Sequence, residues 1–366
     1  MTQAVRPAPA HTAERTAQDE RYRDAIERNE SWNLAVLALH IIAQRIGWVF
    51  KTESVIIPAF LDSVAGAGWM RGLLPVLNRI GQSIPPTVFA TPLRSMRHKR
   101  AAFFACSVAM SVPFLAMSAL CYAAAASRPP WLAWSFLALY GVYFCIIGLH
   151  QLSYGTIQGK LIQPRRRGRL LWLSSLLGSV AAITAAVILL PGWLERGVPG
   201  FTLIFGFAGV LFVVSACTIL AIREPTEPAA SDDGPELHFL ADAWRVFRTD
   251  RNFRRLARVA ALFSVTLMFF PHSQALARER LGLGGVHLMY WVVVQNMSVG
   301  LSSVLVGPLA DRRGTRLTLR MLIFALGFTP LLAVALARWD VTGPSLYWTV
   351  FVLLGLVPIT IRMMVN

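Results

Sequence analysis

The sequence predicts an all-α membrane protein, and two observations support this fold class. Of the 366 residues, 55% are hydrophobic and 15% are charged, and the mean hydropathy is +0.54. Soluble domains rarely combine so much apolar character with so few charges. In addition, apolar runs of about 20 residues recur, and each is long enough to cross about 30 Å of hydrocarbon. Helices are expected because every backbone polar group in lipid must be satisfied within its own segment.

Hydropathy divides the chain into ten predicted spans, six before and four after one long polar stretch. We expect a cytoplasmic N-terminal tail with a short helix at 1–32, a six-helix bundle at 33–222, a cytoplasmic linker at 223–254 and a second bundle at 255–366. The predicted spans are 33–60, 70–92, 101–125, 131–157, 169–192, 199–222, 255–277, 286–309, 317–337 and 345–363.

The linker contains a predicted amphipathic helix. Its first part, "REPTEPAASDDGPE", is polar and is expected to be flexible. One face of the next segment is apolar, with Leu237, Leu240, Trp244 and Phe247, and arginines lie off that face. This pattern fits a helix on the cytoplasmic membrane surface. A plain helical lead-in to the seventh span fits it equally.

Basic residues set the expected orientation. The net charge is +16, and the loops on one side of the membrane hold thirteen Lys and Arg against six on the other. Because cytoplasmic loops are basic, the N-terminus is predicted to be cytoplasmic, and we expect no nucleic-acid partner. The composition in Ala, Arg and Gly suggests a bacterial cytoplasmic (inner) membrane. The four cysteines lie within apolar runs without a CxxC spacing, so we expect no metal site, disulfide or cofactor.

A short charged motif recurs in both parts of the chain. "GPLADRRGTR" at 307–316 aligns with "TPLRSMRHKR" at 91–100, so that Arg97 meets Arg313 and Arg100 meets Arg316. Both segments follow the second span of their bundle and precede the third. Repeated halves of this kind are typical of secondary transporters.

The motif resembles the loop motif of the major facilitator superfamily, with matches at Gly307, Leu309, Ala310, Asp311, Arg312, Gly314 and Arg316. The resemblance implies two six-helix bundles related by a pseudo-twofold repeat. Family members have twelve helices, whereas about ten are predicted here. We therefore expect an incomplete second bundle in a chain truncated after helix 10; a ten-helix variant is the alternative.

The resemblance also assigns a gating role to this loop. It implies that Asp311 docks on the N-terminus of helix 5 and that Arg312, Arg313 and Arg316 serve topology or latch contacts. Arg97 and Arg100 are the matching gating-loop candidates of the first half. From the residues themselves, Gly307 permits close helix packing and Gly314 permits a positive φ in a tight turn. A solvated loop that only sets orientation is the alternative. The first-half position matching Asp311 is Ser95, so the acid is missing there.

Polar side chains within the spans are the candidates for a solute cavity, because such groups are costly in a membrane and usually carry function. His40, Gln44 and Lys51 fall on one face of a continuous first helix, with Arg45 and Glu53 toward the other. Interhelical hydrogen bonding is the alternative role, and snorkelling to the outer interface is the alternative for Lys51 and Glu53. The candidates are His40, Gln44, Arg45, Glu53, Asn78, Gln82, His150, Gln151, Tyr154, His272, Gln274, Gln295 and Asn296.

These features favour a secondary transporter or facilitator that moves a small solute by alternating access. The sequence has no Walker loop, HExxH or Ser/His/Asp set, so an enzyme is not expected. Arg45, Lys51 and Arg79 point weakly to an anionic solute. Coupling to protons through Glu53, His40 or His272 and uncoupled transport both fit. A non-transporting membrane sensor or assembly protein on the same scaffold is the alternative.

Overall fold

In a computed structural model, the protein forms helices connected by short turns and loops. The structure describes residues 10–96, 98–124, 127, 129–225, 239–267, 270–282, 284, 287–339, 344–357 and 360. Within these ranges the helices are α1 (Ala10–Val49), α2 (Ile56–Val64), α3 (Gly68–Ser95), α4 (Lys99–Ala109), α5 (Ser111–Ala124), α6 (Trp131–Leu161), α7 (Pro164–Leu194), α8 (Val198–Ile219), α9 (Phe239–Thr249), α10 (Arg251–Leu267), α11 (Phe270–Leu281), α12 (Leu288–Arg313), α13 (Thr315–Arg338) and α14 (Pro344–Leu354).

Seven helical stretches in the described residues are long and apolar enough to cross a membrane. They lie in α1, in α4 and α5 together, and in α6, α7, α8, α12 and α13. The prediction of an all-α, multi-pass membrane protein is therefore confirmed. The predicted spans 70–92, 255–277 and 345–363 coincide with α3, with α10 and α11, and with α14, which are not among the seven. The count of ten spans stays a prediction.

The first predicted span is not one continuous helix. α1 ends at Val49 and α2 begins at Ile56, with a non-helical segment between them. Thr52 organises this segment, because its hydroxyl oxygen accepts the N–H of Ile56 at 3.3 Å and its carbonyl accepts the N–H of Ile57 at 3.1 Å. A threonine side chain that bonds to nearby backbone groups competes with helical hydrogen bonding. The prediction of an unbroken helix over 33–60 was wrong for this reason.

The N-terminal tail is also more ordered than the sequence suggested. Instead of a separate short helix, residues 10–32 continue into the first span, so that α1 has 40 residues and is about 60 Å long at 1.5 Å per residue. Two buried side chains hold it in place. Glu30 accepts the N–H of Gln163 at 2.9 Å, and the Asn33 amide exchanges hydrogen bonds of 3.0 and 2.9 Å with the backbone of Arg223.

Helices α1 to α8 pack around an aromatic core. α1 packs on α7 and α8, α3 on α6, and α5 on α8. α3 and α6 approach closely at two glycines: a Cβ on Gly148 would lie 2.8 Å from the carbonyl oxygen of Gly81. Small residues allow such contacts in membranes, where van der Waals packing drives helix association. The core contains the buried rings of Phe60, Phe114, Phe136, Phe205 and Phe212.

The later helices meet the first group mainly through α12. α12 packs along α7, where a Cβ on Gly300 would lie 3.4 Å from the side chain of Ser179. α9 and α10 are separate helices because Asp250 lies between them. Its carboxylate accepts the N–H groups of Asn252 and Phe253, in the manner of a helix N-cap. Trp244 and Phe247 of α9 are exposed and stack on each other.

Candidate functional site

The break in the first span holds an ion pair between a buried lysine and a partly exposed glutamate. The ammonium group of Lys51 lies 3.0 Å from Glu53 Oε1, and Lys51 is only 3% exposed. Both residues belong to the segment between α1 and α2, where the backbone leaves the helical path. Lys51 contacts α6, as His40 and Gln44 do, although the backbone between them is not helical throughout. Its burial within the protein, beside a carboxylate, also argues against snorkelling to an interface.

Four aromatic rings surround the Lys51 ammonium group and form what we call the aromatic cage. The distances from Nζ to the ring centroids are 4.5 Å for Trp48, 5.0 Å for Tyr143, 5.4 Å for Phe144 and 6.0 Å for Tyr140. Cations within about 6 Å of a ring face are attracted by its quadrupole, most strongly when water is excluded. Tyr140, Tyr143 and Phe144 share one face of α6, because they are three and four residues apart.

A chain of hydrogen bonds extends from Glu53 across two helices. The amide of Asn78 donates to Glu53 Oε2 at 2.7 Å, and the amide of Gln82 donates to the Asn78 side-chain oxygen. Gln151 on α6 then donates to the Gln82 oxygen at 3.3 Å. The structure thus connects four of the candidate cavity residues. The spacing of Asn78 and Gln82, one turn apart on α3, allows this bond between them.

Arg79 adds a second cation beside this network. It follows Asn78 on α3 and interacts electrostatically with Glu53. One of its terminal nitrogens, Nη2, is buried without a hydrogen-bond partner. The two cations Lys51 and Arg79 and the carboxylate of Glu53 together carry one net positive charge. An unsatisfied buried donor of this kind favours a ligand that brings an acceptor.

Histidines form a second buried polar cluster on α1, before the break. His40 Nε2 lies 3.3 Å from His150 Nε2, and His40 Nδ1 lies 2.9 Å from both the carbonyl and the hydroxyl oxygen of Ser215. Gln44 Nε2 approaches His150 Nε2 at 3.4 Å. The structure therefore brings His40, Gln44 and His150 together on two helices, α1 and α6. The ring of Tyr154 lies nearby, 5.9 Å from that of Phe103.

The remaining candidates of the first bundle and of α12 have simpler surroundings. Arg45 packs its side-chain stem on α7, since a Cβ on Gly178 would lie 2.8 Å from Arg45 Cδ. Asn296 donates to the carbonyl of Val292 in its own helix at 2.8 Å. Gln295 instead reaches the break in the first span and accepts the Ser54 hydroxyl at 2.6 Å.

A second contact between the two groups of helices involves Asp62 at the end of α2. Arg71 donates to both carboxylate oxygens of Asp62 at 2.7 and 2.8 Å, and the Gln274 amide donates to Oδ2 at 3.0 Å. Gln274 is fully buried, whereas His272, beside it on α11, is partly buried near Gly72. An open cavity of about 280 Å³ lies against this contact, lined by Asp62, Ala275, Arg278 and Glu279.

The gating-loop candidates are only partly described. Gly314 has φ of 85°, in the left-handed region where glycine is favoured, and Arg316 is exposed. Arg100 donates to the carbonyl of Ile222 at 2.9 Å, within the first group of helices. Arg97 and the side chains of Asp311 and Arg312 lie outside the described residues, as does the side-chain environment expected at Gly307.

Several residues of the site were missed at the sequence level. Tyr140, Tyr143 and Phe144 read as ordinary apolar positions, and Ser54 and Arg71 were not considered as partners. One signal was present: the run "KTES" at 51–54 places four polar residues inside an otherwise apolar span. Such a run is a helix-breaking pattern as well as a functional one. Nothing local identifies its partners, which lie on α3, α6 and α12.

The protein has two groups of membrane-length helices, which pack on each other along α7 and α12 and enclose charged side chains at a helix break. This arrangement defines a polytopic membrane protein of transporter architecture. The family model of the Major Facilitator Superfamily matches residues 95–365, so this chain belongs to that superfamily. Its role is transport rather than catalysis, and members of the superfamily bind small-molecule solutes. Among curated proteins, none matches the sequence.

Solved transporter structures share the fold at low sequence identity. A single-residue mutant of the nucleoside transporter NupG has a TM-score of 0.63 at 13% identity, over 88% of this chain and 79% of that one. A bacterial homologue of the human lysosomal transporter Spinster, inward-facing and unoccupied, has a TM-score of 0.58 at 17% identity, over 91% and 74%. The xylose transporter XylE from E. coli, in a partially occluded inward-open conformation, has a TM-score of 0.51 at 12% identity, over 90% and 88%.

Proposed function

We propose that the protein carries a small solute across the bacterial cytoplasmic membrane by alternating access. The observation that carries this proposal is the pair of the buried Lys51 with Glu53 in the break of the first span, tied to α3 through Asn78. Secondary transporters hold their solutes and ions at discontinuous helices of this kind. Charged side chains within a membrane bundle are costly, which supports a role in function rather than packing.

The contacts between the two halves support an inward-facing state. In the described residues, side-chain hydrogen bonds from Ser54 to Gln295 and from Gln274 to Asp62 join them. Both lie beyond α1, one at the break in the first span and one near the end of α2. They therefore join the two halves on the side where the first span finishes. With the N-terminus in the cytoplasm, as the basic loops favour, this end faces outward. Alternating access then requires both contacts to break when the outer end opens.

The charges around the break support a solute with an anionic group. Lys51 and Arg79 outnumber Glu53, and Arg79 has a buried donor without a partner. For coupling, we propose Glu53 as the proton-binding group. Protonation of its carboxylate would weaken the attraction to Lys51. The energy of the site would therefore depend on whether a proton is bound. A pH gradient that drives uptake would indicate proton coupling, and uptake that is independent of the gradient would indicate uncoupled facilitation.

The cytoplasmic gate is proposed to involve the N-terminus of α7. The resemblance implies that Asp311 docks there in the outward-facing state. In the described structure the same helix end already holds Glu30, which accepts the Gln163 N–H and pairs with Arg166 at 3.3 Å. Glu30 is 3% exposed, so this contact is a built part of the bundle. We propose that the Asp311 carboxylate joins Glu30 at the N-terminus of α7 when the cytoplasmic side closes.

Uptake into proteoliposomes tests the proposal. The purified protein is screened against a solute library by thermal stabilisation, and stabilising solutes are then measured for uptake with and without an inward proton gradient. We expect Glu53→Gln to fold and to reduce uptake at least about 10-fold, because Lys51 loses its buried counter-charge. Glu195→Gln, at an exposed position, is the matched control. A folded wild-type protein that moves none of its stabilising solutes would favour the non-transporting sensor.

A further inference from the structure

The aromatic cage is a binding site for ammonium groups that is occupied by a side chain of the protein itself. Lys51 Nζ lies within 4.5 to 6.0 Å of four ring centroids and 3.0 Å from a carboxylate oxygen. Aromatic rings arranged around a desolvated cation, completed by an anion, are how proteins recognise free ammonium ligands. Nothing in this geometry depends on the ammonium group being attached to the chain.

The parts of the cage are held independently of Lys51. Tyr140, Tyr143 and Phe144 belong to the continuous helix α6. Glu53 is fixed by the Asn78 amide of α3 at 2.7 Å. Lys51 lies in the same non-helical segment as Glu53, but on a flexible four-carbon stem. Lys51 can therefore leave while the three α6 rings and the carboxylate remain in place.

We infer that the solute is amphoteric: its ammonium group replaces Lys51 in the aromatic cage against Glu53, and its anionic group pairs with the displaced Lys51 and with Arg79. This inference rests on the proposed transport function and names the class of solute. The exchange conserves charge, since one buried ion pair is replaced by two. The unpartnered Nη2 of Arg79 supplies a further donor for the anionic group.

Solutes with a single charge fit the same site less well. An anion that draws Lys51 away leaves the partly exposed Glu53 without its ammonium partner. A cation that takes the cage leaves Lys51 without its carboxylate. Leaving one partner of this half-buried pair without its counter-charge is unfavourable, so either solute should bind at least about 10-fold more weakly than an amphoteric one of the same size.

Two measurements on the full chain in detergent test the inference. The first titrates Lys51→Ala with methylammonium, which should fill the vacated cage. We expect it to bind at least about 10-fold more tightly to this variant than to the wild type, and the gain should disappear in Lys51→Ala/Glu53→Gln. Lys51→Met, which keeps the cage filled without a charge, should not show the gain. A folded Lys51→Ala that gains no methylammonium affinity would overturn the inference.

The second measurement uses the wild-type protein and so does not depend on the folding of a variant. Binding of 4-aminobutyrate is compared with that of butyrate and butylammonium, which carry its two charges separately. Preference for the amphoteric probe is expected, and equal binding or no binding of the three would count against the inference. Uptake of a purely anionic solute that requires Glu53 would leave the transport function standing and overturn only the amphoteric class. Methylammonium binding to Lys51→Ala without uptake of any solute would support the cage as an ammonium site and overturn the transport function.

Discussion

Replacing Gln274 by leucine should open the outer end of the protein. Gln274 is fully buried, and its amide nitrogen donates to Asp62 across the boundary between the two groups of helices at 3.0 Å. Its amide oxygen is buried without a partner, so this is the hydrogen bond that the substitution removes. Leucine has a similar volume and leaves no large cavity.

The expected shift can be worked out from the surroundings of Asp62. A hydrogen bond to a charged group contributes about 1.5–3 kcal/mol. The lower end applies here, because Arg71 still binds both carboxylate oxygens of Asp62 at 2.7 and 2.8 Å. About 1.5 kcal/mol corresponds to roughly a 10-fold change in the equilibrium between outer-closed and outer-open states. The bond between Ser54 and Gln295 remains, so the closed state should weaken without vanishing.

Distances between spin labels measure this equilibrium. Labels at Ser63→Cys and His287→Cys, both exposed near the outer ends of the two groups, are introduced after replacing the four native cysteines. We expect Gln274→Leu to increase the longer-distance population about 10-fold. In an Asp62→Asn background the same change should have a smaller effect, because the contact is already weakened. Identical distance distributions in the parent and in Gln274→Leu would refute the reasoning.

Three further substitutions test other parts of the structure through thermal unfolding of the purified protein. Glu30→Gln should lower stability by about 1 kcal/mol, since the amide oxygen can still accept the Gln163 N–H but the attraction to Arg166 and to the N-terminus of α7 is lost; an unchanged Tm would argue against this electrostatic contact. Gly148→Val should prevent close packing of α3 and α6 and reduce the folded yield, whereas Gly155→Ala, with no atom within 4 Å of its added Cβ, should be tolerated. Gly314→Ala should cost about 1–3 kcal/mol because φ is 85° there, and a loss no greater than that of Gly155→Ala would contradict the assigned turn.

The candidate site was partly visible in the sequence. Glu53, Asn78 and Gln82 were identified as costly polar groups within spans, and the structure connects them in one network. Lys51 contacts α6, as His40 and Gln44 do, although the helical-wheel argument assumed a continuous first helix. Once the backbone breaks at residue 50, side-chain directions before and after the break are no longer related by 100° per residue.

The cross-helix partners were not predictable by any local pattern. His40 meets His150 across 110 residues of sequence, and Asp62 meets Gln274 across 212. Apolar positions such as Tyr140 and Tyr143 carry no sign of facing a cation. Their role arises because α6 places them beside the break, which depends on how α3, α6 and α1 pack.

The sequence by itself determined that this chain crosses a membrane as helices, which family it resembles and where its glycine turn at Gly314 falls. These features follow from properties that are local along the chain, namely hydropathy over about 20 residues, basic loops and a short motif. Only the tertiary structure decided that Lys51 and Glu53 pair inside an aromatic cage and that Gln274 and Gln295 reach across to the first half. Hydropathy fixes which segments enter the membrane, whereas the burial of a charge is decided by side chains that other helices bring to it.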